Sequence, residues 1–242
     1  MHSFTPAEQA AINHPQQDAM LSQILAWSAI NSGSRNLEGL AAMARELTAA
    51  FAVLPGDVRL VDAAPVEIVR ADGRIDNIAH GQHLVVQVRP TAPRRILLTG
   101  HMDTVFEPSH PFQTCSWIDN GTLNGPGVAD MKGGIAVMLA ALQAVEAAGV
   151  GPDFGYDVLI NSDEEVGSLS SNRLIANLAA GKLAALTYEP SALPDGTLAG
   201  ARPGSGTTRS LEPLPKTRTK PWSRSTCWSV RPQISLARRP LE

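Results

Sequence analysis

The segment Arg95-Ile96-Leu97-Leu98-Thr99-Gly100 constrains this chain more than any other. Its apolar run is continuous rather than alternating, which is the pattern of a strand covered on both faces, and such strands belong to α/β sheets. Other stretches agree with it. Val58 to Val61, His83 to Val88, Tyr156 to Ile160 and Leu183 to Tyr188 read as further strands. Apolar residues also recur at three- and four-residue intervals in four places. Met20, Leu21, Ile24, Leu25 and Trp27 form the first set, with Asp18 as its N-cap. Leu37, Leu40, Ala44, Leu47 and Phe51 form the second, which Pro55-Gly56 ends. Met131, Ile135, Met138, Leu139, Leu142 and Val145 form the third, stopping near Gly149, and a short helix follows from Ser171 to Ala179. Strands alternating with helices of this size predict an α/β fold: a mostly parallel sheet with helices on both faces.

Composition narrows the class but not the task. The chain has 242 residues, 43% hydrophobic and 18% charged, which is enough for a buried core in a soluble protein. A net charge of −3 selects no partner, and no nucleic-acid recognition fold accompanies the basic residues. Cys115 and Cys227 form no framework and read as ordinary thiols, in keeping with a reducing compartment. The N-terminus lacks a basic start followed by an apolar stretch, and nothing later reads as long and apolar enough to span a bilayer. The expectation is a cytoplasmic protein without a membrane partner.

Charge is unevenly spread. Residues 1–206 carry 12 basic and 21 acidic side chains, whereas residues 207–242 carry 8 and 2 with five prolines and no periodicity. A disordered basic tail fits this composition, although Trp222 and Trp228 fall within it and disordered segments are poor in aromatics.

In open α/β sheets, sites form at the carboxyl ends of strands, and four such ends here carry acids or a histidine. Gly100-His101-Met102-Asp103 follows the buried strand. A carboxylate at Asp103 could hold the second imidazole nitrogen of His101 and raise its basicity as a ligand. Asn124 to Gly134 is a glycine-rich loop in which Asp130 could cap the next helix or bridge two cations. Asp163-Glu164-Glu165 ends the third strand, and three adjacent acids there repel one another unless a cation sits among them. Glu189 follows the fourth strand and means little alone. No H-E-x-x-H or zinc-finger cysteine pattern is present. His80, His83 and His110 lie in polar contexts and read as surface residues.

Taken in order and spacing, these four segments resemble the zinc-dependent family of glutamate carboxypeptidase, aminoacylase, succinyl-diaminopimelate desuccinylase and peptidase T. The likeness runs from about residue 20 to 206, and GHMDTVF and GPGVADMKGG look most like the glutamate carboxypeptidase-like members. The resemblance implies a zinc exopeptidase-like catalytic domain with two zinc ions. His101 would bind one zinc, with Asp103 as its orienting partner, Asp130 would bridge both, Glu165 would bind the second and Glu189 the first. Glu164 would carry the proton. The implied reaction is cleavage of an amide or peptide bond next to a free carboxylate in a small peptide or N-acyl amino acid. An N-acyl amino-acid deacylase or aminopeptidase, and a non-catalytic metal-binding remnant, are the alternatives.

Family members continue into a dimerisation domain and return with a C-terminal histidine for the second zinc, whereas the histidines here stand at 2, 14, 80, 83, 101 and 110. The expectation is therefore an incomplete catalytic domain over 1–202 and an aberrant basic, proline-rich tail over 203–242. The dimerisation domain and the C-terminal catalytic segment would be absent, and the second zinc site and the activity impaired. A shifted reading frame near residue 203 would account for the change.

Overall fold

A computed structural model describes residues 4–149 and 151–190 together with the backbone of a strand at Trp228–Ser229. The chain opens with helices α1 (Pro6–Asn13), α2 (Gln17–Ser28) and α3 (Leu37–Phe51). Strand β1 (Asp57–Val61), a hairpin of β2 (Val66–Val69) and β3 (Ile75–Ile78), and strands β4 (His83–Val88) and β5 (Arg94–His101) follow. A small ladder of β6 (Ser116–Trp117) and β7 (Leu123–Asn124) leads through a kinked turn at Val128–Lys132 into α4 (Gly133–Ala147). Strand β8 (Phe154–Asn161), helix α5 (Asn172–Ala179), β9 (Ala184–Thr187) and β10 (Trp228–Ser229) complete the described elements.

The six-stranded sheet has the order β1-β4-β8-β5-β9-β10. The pairings among β8, β5, β9 and β10 are parallel, and those of β1 with β4 and β4 with β8 are antiparallel. The fold is α/β with parallel strands predominating, and one side of the sheet is antiparallel. Helices α2, α3 and α4 cover one face, where Ile24, Leu40, Leu47, Met138 and Leu139 meet Leu84, Val86, Leu98, Val158 and Ile160. Helix α5 covers the other through Leu178, Leu174 and Ile175 against Val85, Leu97 and Leu159. On that second face Asp157 is buried between Arg95 Nη2 at 2.6 Å and Lys182 Nζ at 2.8 Å. A buried carboxylate of this kind is tolerated only because both of its sides are paired.

Three expectations need correction. Asp18 is not the N-cap of α2: Gln16 holds that position and Asp18 lies in the first turn, where its charge suits the helix dipole. The run Val128–Ala147 is 20 residues long and apolar enough to cross a membrane by length and composition. Here it lies in the core, with Ile135, Met138, Leu139 and Leu142 buried against the sheet. Met131 belongs to the same buried face but sits in the kinked turn before α4, outside helical backbone angles. The expected irregular tail over 203–242 lies outside the described residues, except that Trp228–Ser229 pairs in parallel with Leu186 and Thr187.

Candidate metal centre

The parallel half of the sheet delivers the acidic segments to one edge. Strands β5 and β8 run side by side to His101 and Asn161, and Met102 N continues the ladder by donating to Asn161 O at 2.8 Å. The residues that follow each strand are thereby neighbours. Between the two strand ends sits Asp103, fully buried. Its carboxylate accepts hydrogen bonds from Ser34 Oγ at 2.7 Å and from the backbone N–H groups of Glu164 and Glu165, both at 3.1 Å. Its Oδ1 lies 3.3 Å from His101 Nδ1, and its backbone carbonyl 3.0 Å from the same nitrogen. Asp103 therefore lies against the Nδ1 side of His101, and it also holds the turn that carries both glutamates.

The other ring nitrogen of His101 faces acids. Nε2 lies 2.9 Å from Asp130 Oδ1, 3.4 Å from Glu189 Oε1 and 4.0 Å from Glu164 Oε2. Ligand atoms of His101, Asp130 and Glu165 all fall within 4.8 Å of one another, close enough to share one ion. Asp103, Asp130, Glu164, Glu165 and Glu189 thus all lie around the His101 ring. Glu165 stands with His101 and Asp130, and Glu189 borders the same imidazole nitrogen. Among the described residues no other histidine joins the group.

Asp130 reaches this place because its loop is tightly folded. Gly127 adopts a left-handed φ of 69°, a conformation open to glycine at little cost. A Cβ on Gly134 would lie 2.1 Å from Tyr188 O, so α4 starts in direct contact with the end of β9. That contact sets Asp130 beside Glu189. Lys132, almost wholly buried, donates through Nζ to Trp27 O at 3.0 Å and Ile30 O at 2.8 Å, fastening the loop to the C-terminal end of α2. Burial pushes its pKa down to about 8. Ser34 and Lys132 carried no assignment from sequence. Only the position of Lys132 beside Asp130 hinted at a part in the site.

Electrostatics follow from the crowding of acids. Burial raises the Glu164 pKa and pushes Glu165 up to about 7, reinforced in each case by the neighbouring carboxylates. Burial alone would lower the His101 pKa, but the bonds to Asp103, Asp130 and Glu189 outweigh it and push it up to about 12. A site of one imidazole and several carboxylates, with the imidazole braced from behind, has the donor chemistry of a divalent transition-metal site.

Two sequence readings fail here. Asp163 does not face the His101 group with its two neighbours: it is fully buried and turned away, accepting from Ser170 N at 2.7 Å and Ser171 N at 3.3 Å ahead of α5. Three acids in a row cannot all face one side of a tight turn, and this one instead ties down the two residues that precede α5. His83 is not on the surface but 1% exposed, because β4 lies inside the sheet and the chain after β8 folds over its first residue. His80 is half-buried with Nε2 3.2 Å from Arg35 Nη1, and His110 is exposed as expected.

Carboxypeptidase G2 of Pseudomonas sp. (strain RS-16) is 31% identical over 183 residues, which are 74% of this chain and 40% of that protein. A succinyl-diaminopimelate desuccinylase of Methylobacterium nodulans (strain LMG 21967 / CNCM I-2342 / ORS 2060) is 40% identical over 85 residues, 31% of this chain and 20% of its own. Human carnosine dipeptidase 1 superposes with a TM-score of 0.57 at 21% identity, covering 74% of this chain and 39% of that one, a likeness of fold. The chain thus spans 40% or less of the length of these relatives. The pattern of peptidase family M20/M25/M40 matches residues 97–229, more than half of the chain. That match begins inside β5 and takes in every strand end that feeds the site, and by it the chain belongs to peptidase family M20/M25/M40.

Proposed function

We propose that this chain forms the metal-binding part of a hydrolase that cleaves an amide or peptide bond beside a free carboxylate, in the manner of a carboxypeptidase acting on small peptides or N-acyl amino acids. The observation that carries the reading is the convergence of His101, Asp130 and Glu165 around one point, with Glu164 Oε2 4.0 Å from the His101 ring. His101, Asp130, Glu165 and Glu189 would hold zinc. We infer that one ion binds more firmly than a second, since the group contains a single histidine among the described residues. A bound divalent cation supplies Lewis acidity, polarising a carbonyl and making a water more acidic.

The protein's own part is proton handling and orientation. Glu164 has a raised pKa, is half-exposed and stands beside the ligand group without belonging to its tightest set. It takes a proton from the attacking water as the new C–O bond forms, and delivers it to the leaving nitrogen as the C–N bond breaks. A carboxylate with a pKa moved toward neutrality serves both halves of that exchange. Asp103 keeps His101 in one orientation and holds the Glu164 turn against it.

A deacylase reading is favoured by one finding, the 40% identity to a protein named as a desuccinylase. Purified protein loaded with zinc and offered panels of dipeptides, acyl-glutamates and N-succinyl amines separates the two. Hydrolysis restricted to the succinyl compounds would replace the carboxypeptidase reading. For any hydrolysis found, Glu164→Gln is expected to lower kcat by about a hundredfold or more while metal content stays near one ion. Loss of metal in parallel would reassign Glu164 to the ligands.

A further inference from the structure

Behind the turn of Glu164 and Glu165 lies a second polar cluster, which the reaction proposed above does not use. His83 opens β4 with its side chain buried. Ser162 N donates to His83 Nδ1 at 3.2 Å, so that nitrogen carries no proton and the ring proton resides on Nε2. Nε2 then donates to Ser170 Oγ at 3.3 Å, and the Ser170 hydroxyl donates to Asp163 Oδ2 at 2.8 Å. Asp163 also accepts from Asn161 Nδ2 at 3.2 Å, and Ser162 Oγ donates to Gly81 O at 2.6 Å. Each bond has a defined direction, and the backbone N–H of Ser162 sets the tautomer. Burial lowers the affinity of His83 for a second proton, which keeps the ring in the neutral form that this pattern requires.

The consequence is mechanical. Asp103 grips the backbone N–H groups of Glu164 and Glu165 from the front, while His83 and Asp163 grip residues 162, 170 and 171 from behind. The intervening turn is a single one at Glu164–Val166, followed by Gly167 and Ser168 at positive φ, and it closes on Asp163 O, which accepts from Ser168 N at 2.7 Å. An apolar side chain at position 83 could fill the volume, but Ser162 N would lose its acceptor and Ser170 Oγ its donor.

We propose that His83 is a positioning residue for the metal centre, fixing through Ser162 and through Ser170 and Asp163 the turn that presents Glu164 and Glu165 to His101 and Asp130. This rests on the reading of those side chains as a metal site. Groups that brace a ligand from behind affect both metal affinity and ligand geometry.

The test is titration of the full chain with Co²⁺, followed by its visible absorption bands, with the melting temperature of the metal-free protein measured alongside. His83→Leu is expected to weaken Co²⁺ binding by about tenfold or more and to shift the bands. Ser170→Ala should move both in the same direction. His83→Asn, whose side-chain oxygen can replace Nδ1 as acceptor for Ser162 N, should recover part of the loss. Unchanged affinity and bands in Ser170→Ala and His83→Asn, with or without a lower melting temperature, would overturn the proposal even if His83→Leu fails to fold. Glu165→Gln separates the two readings. Cobalt that binds the natural chain, is lost in Glu165→Gln and is indifferent to position 83 contradicts this inference alone. A natural chain that takes up no cobalt contradicts the metal centre, and this proposal falls with it.

Discussion

His101 is held with acids on both sides of its ring, and this decides how the centre should respond to pH. Without a cation, its neighbours hold a proton on it to about pH 12, and Glu165 titrates at about 7. A metal ion must displace whatever protons are bound. Below about pH 7 both groups carry one, and above it only His101 does, so proton release should fall from near two per ion at about pH 6 toward one at about pH 8. Affinity for zinc should accordingly rise with pH, more steeply on the acid side. Calorimetry of zinc binding in buffers of different ionisation enthalpy measures the count directly. Equal release at both pH values would mean that Glu165 is not among the ligands. At this scale residue type and strand end together drew attention to His101, Asp103 and Glu164, and the glycine-rich loop before α4 to Asp130. The sequence misled for His83 and Asp163, because burial of a polar side chain is decided by what folds over it, and the segment that covers His83 lies about eighty residues further on, at Ser162 and Ser170.

The elements that sequence located are those whose apolar residues have a face to bury. Helices α3 and α4 and strands β4, β5 and β8 each contribute several buried residues to the core, and their periodicity was visible for that reason. Helix α1 has no buried residue and is fixed instead by a capping box between Thr5 and Glu8, so it left no periodic signal. The β2–β3 hairpin leaves Val69 and Ile75 largely exposed, and each of its strands has only four residues. The junction of α4 with β9 can be probed at Gly134. A methyl group there meets a backbone carbonyl that cannot move without carrying Glu189 with it. Gly134→Ala is expected to destabilise the fold by about 1–3 kcal/mol and to weaken metal binding, whereas the same change at Gly151, which has open space around it, should do neither. Thermal melts and zinc titration of the two variants check this. Equal behaviour would show that the close approach does not set the site.

Across the whole molecule, the parallel half of the sheet was legible and the antiparallel half was not. Continuous apolar runs such as Ile96 to Leu98 and Val158 to Ile160 announce strands covered on both faces, but nothing in β1 or β4 specified the direction of their pairing. The location of the site followed from the parallel half alone. Strands β5, β8 and β9 all end on the same edge, and the acids that follow them had to meet there. Folding therefore concentrates negative charge around a single buried imidazole, an arrangement that a cation stabilises. The most direct test is the metal content of the purified chain by elemental analysis, compared with that of Asp130→Ala. The account predicts about one divalent ion per natural chain and a loss of most of it in the variant, with the fold retained because Asp130 is exposed. A natural chain that purifies and dialyses free of metal, or an ion that remains at full content in Asp130→Ala, would contradict it.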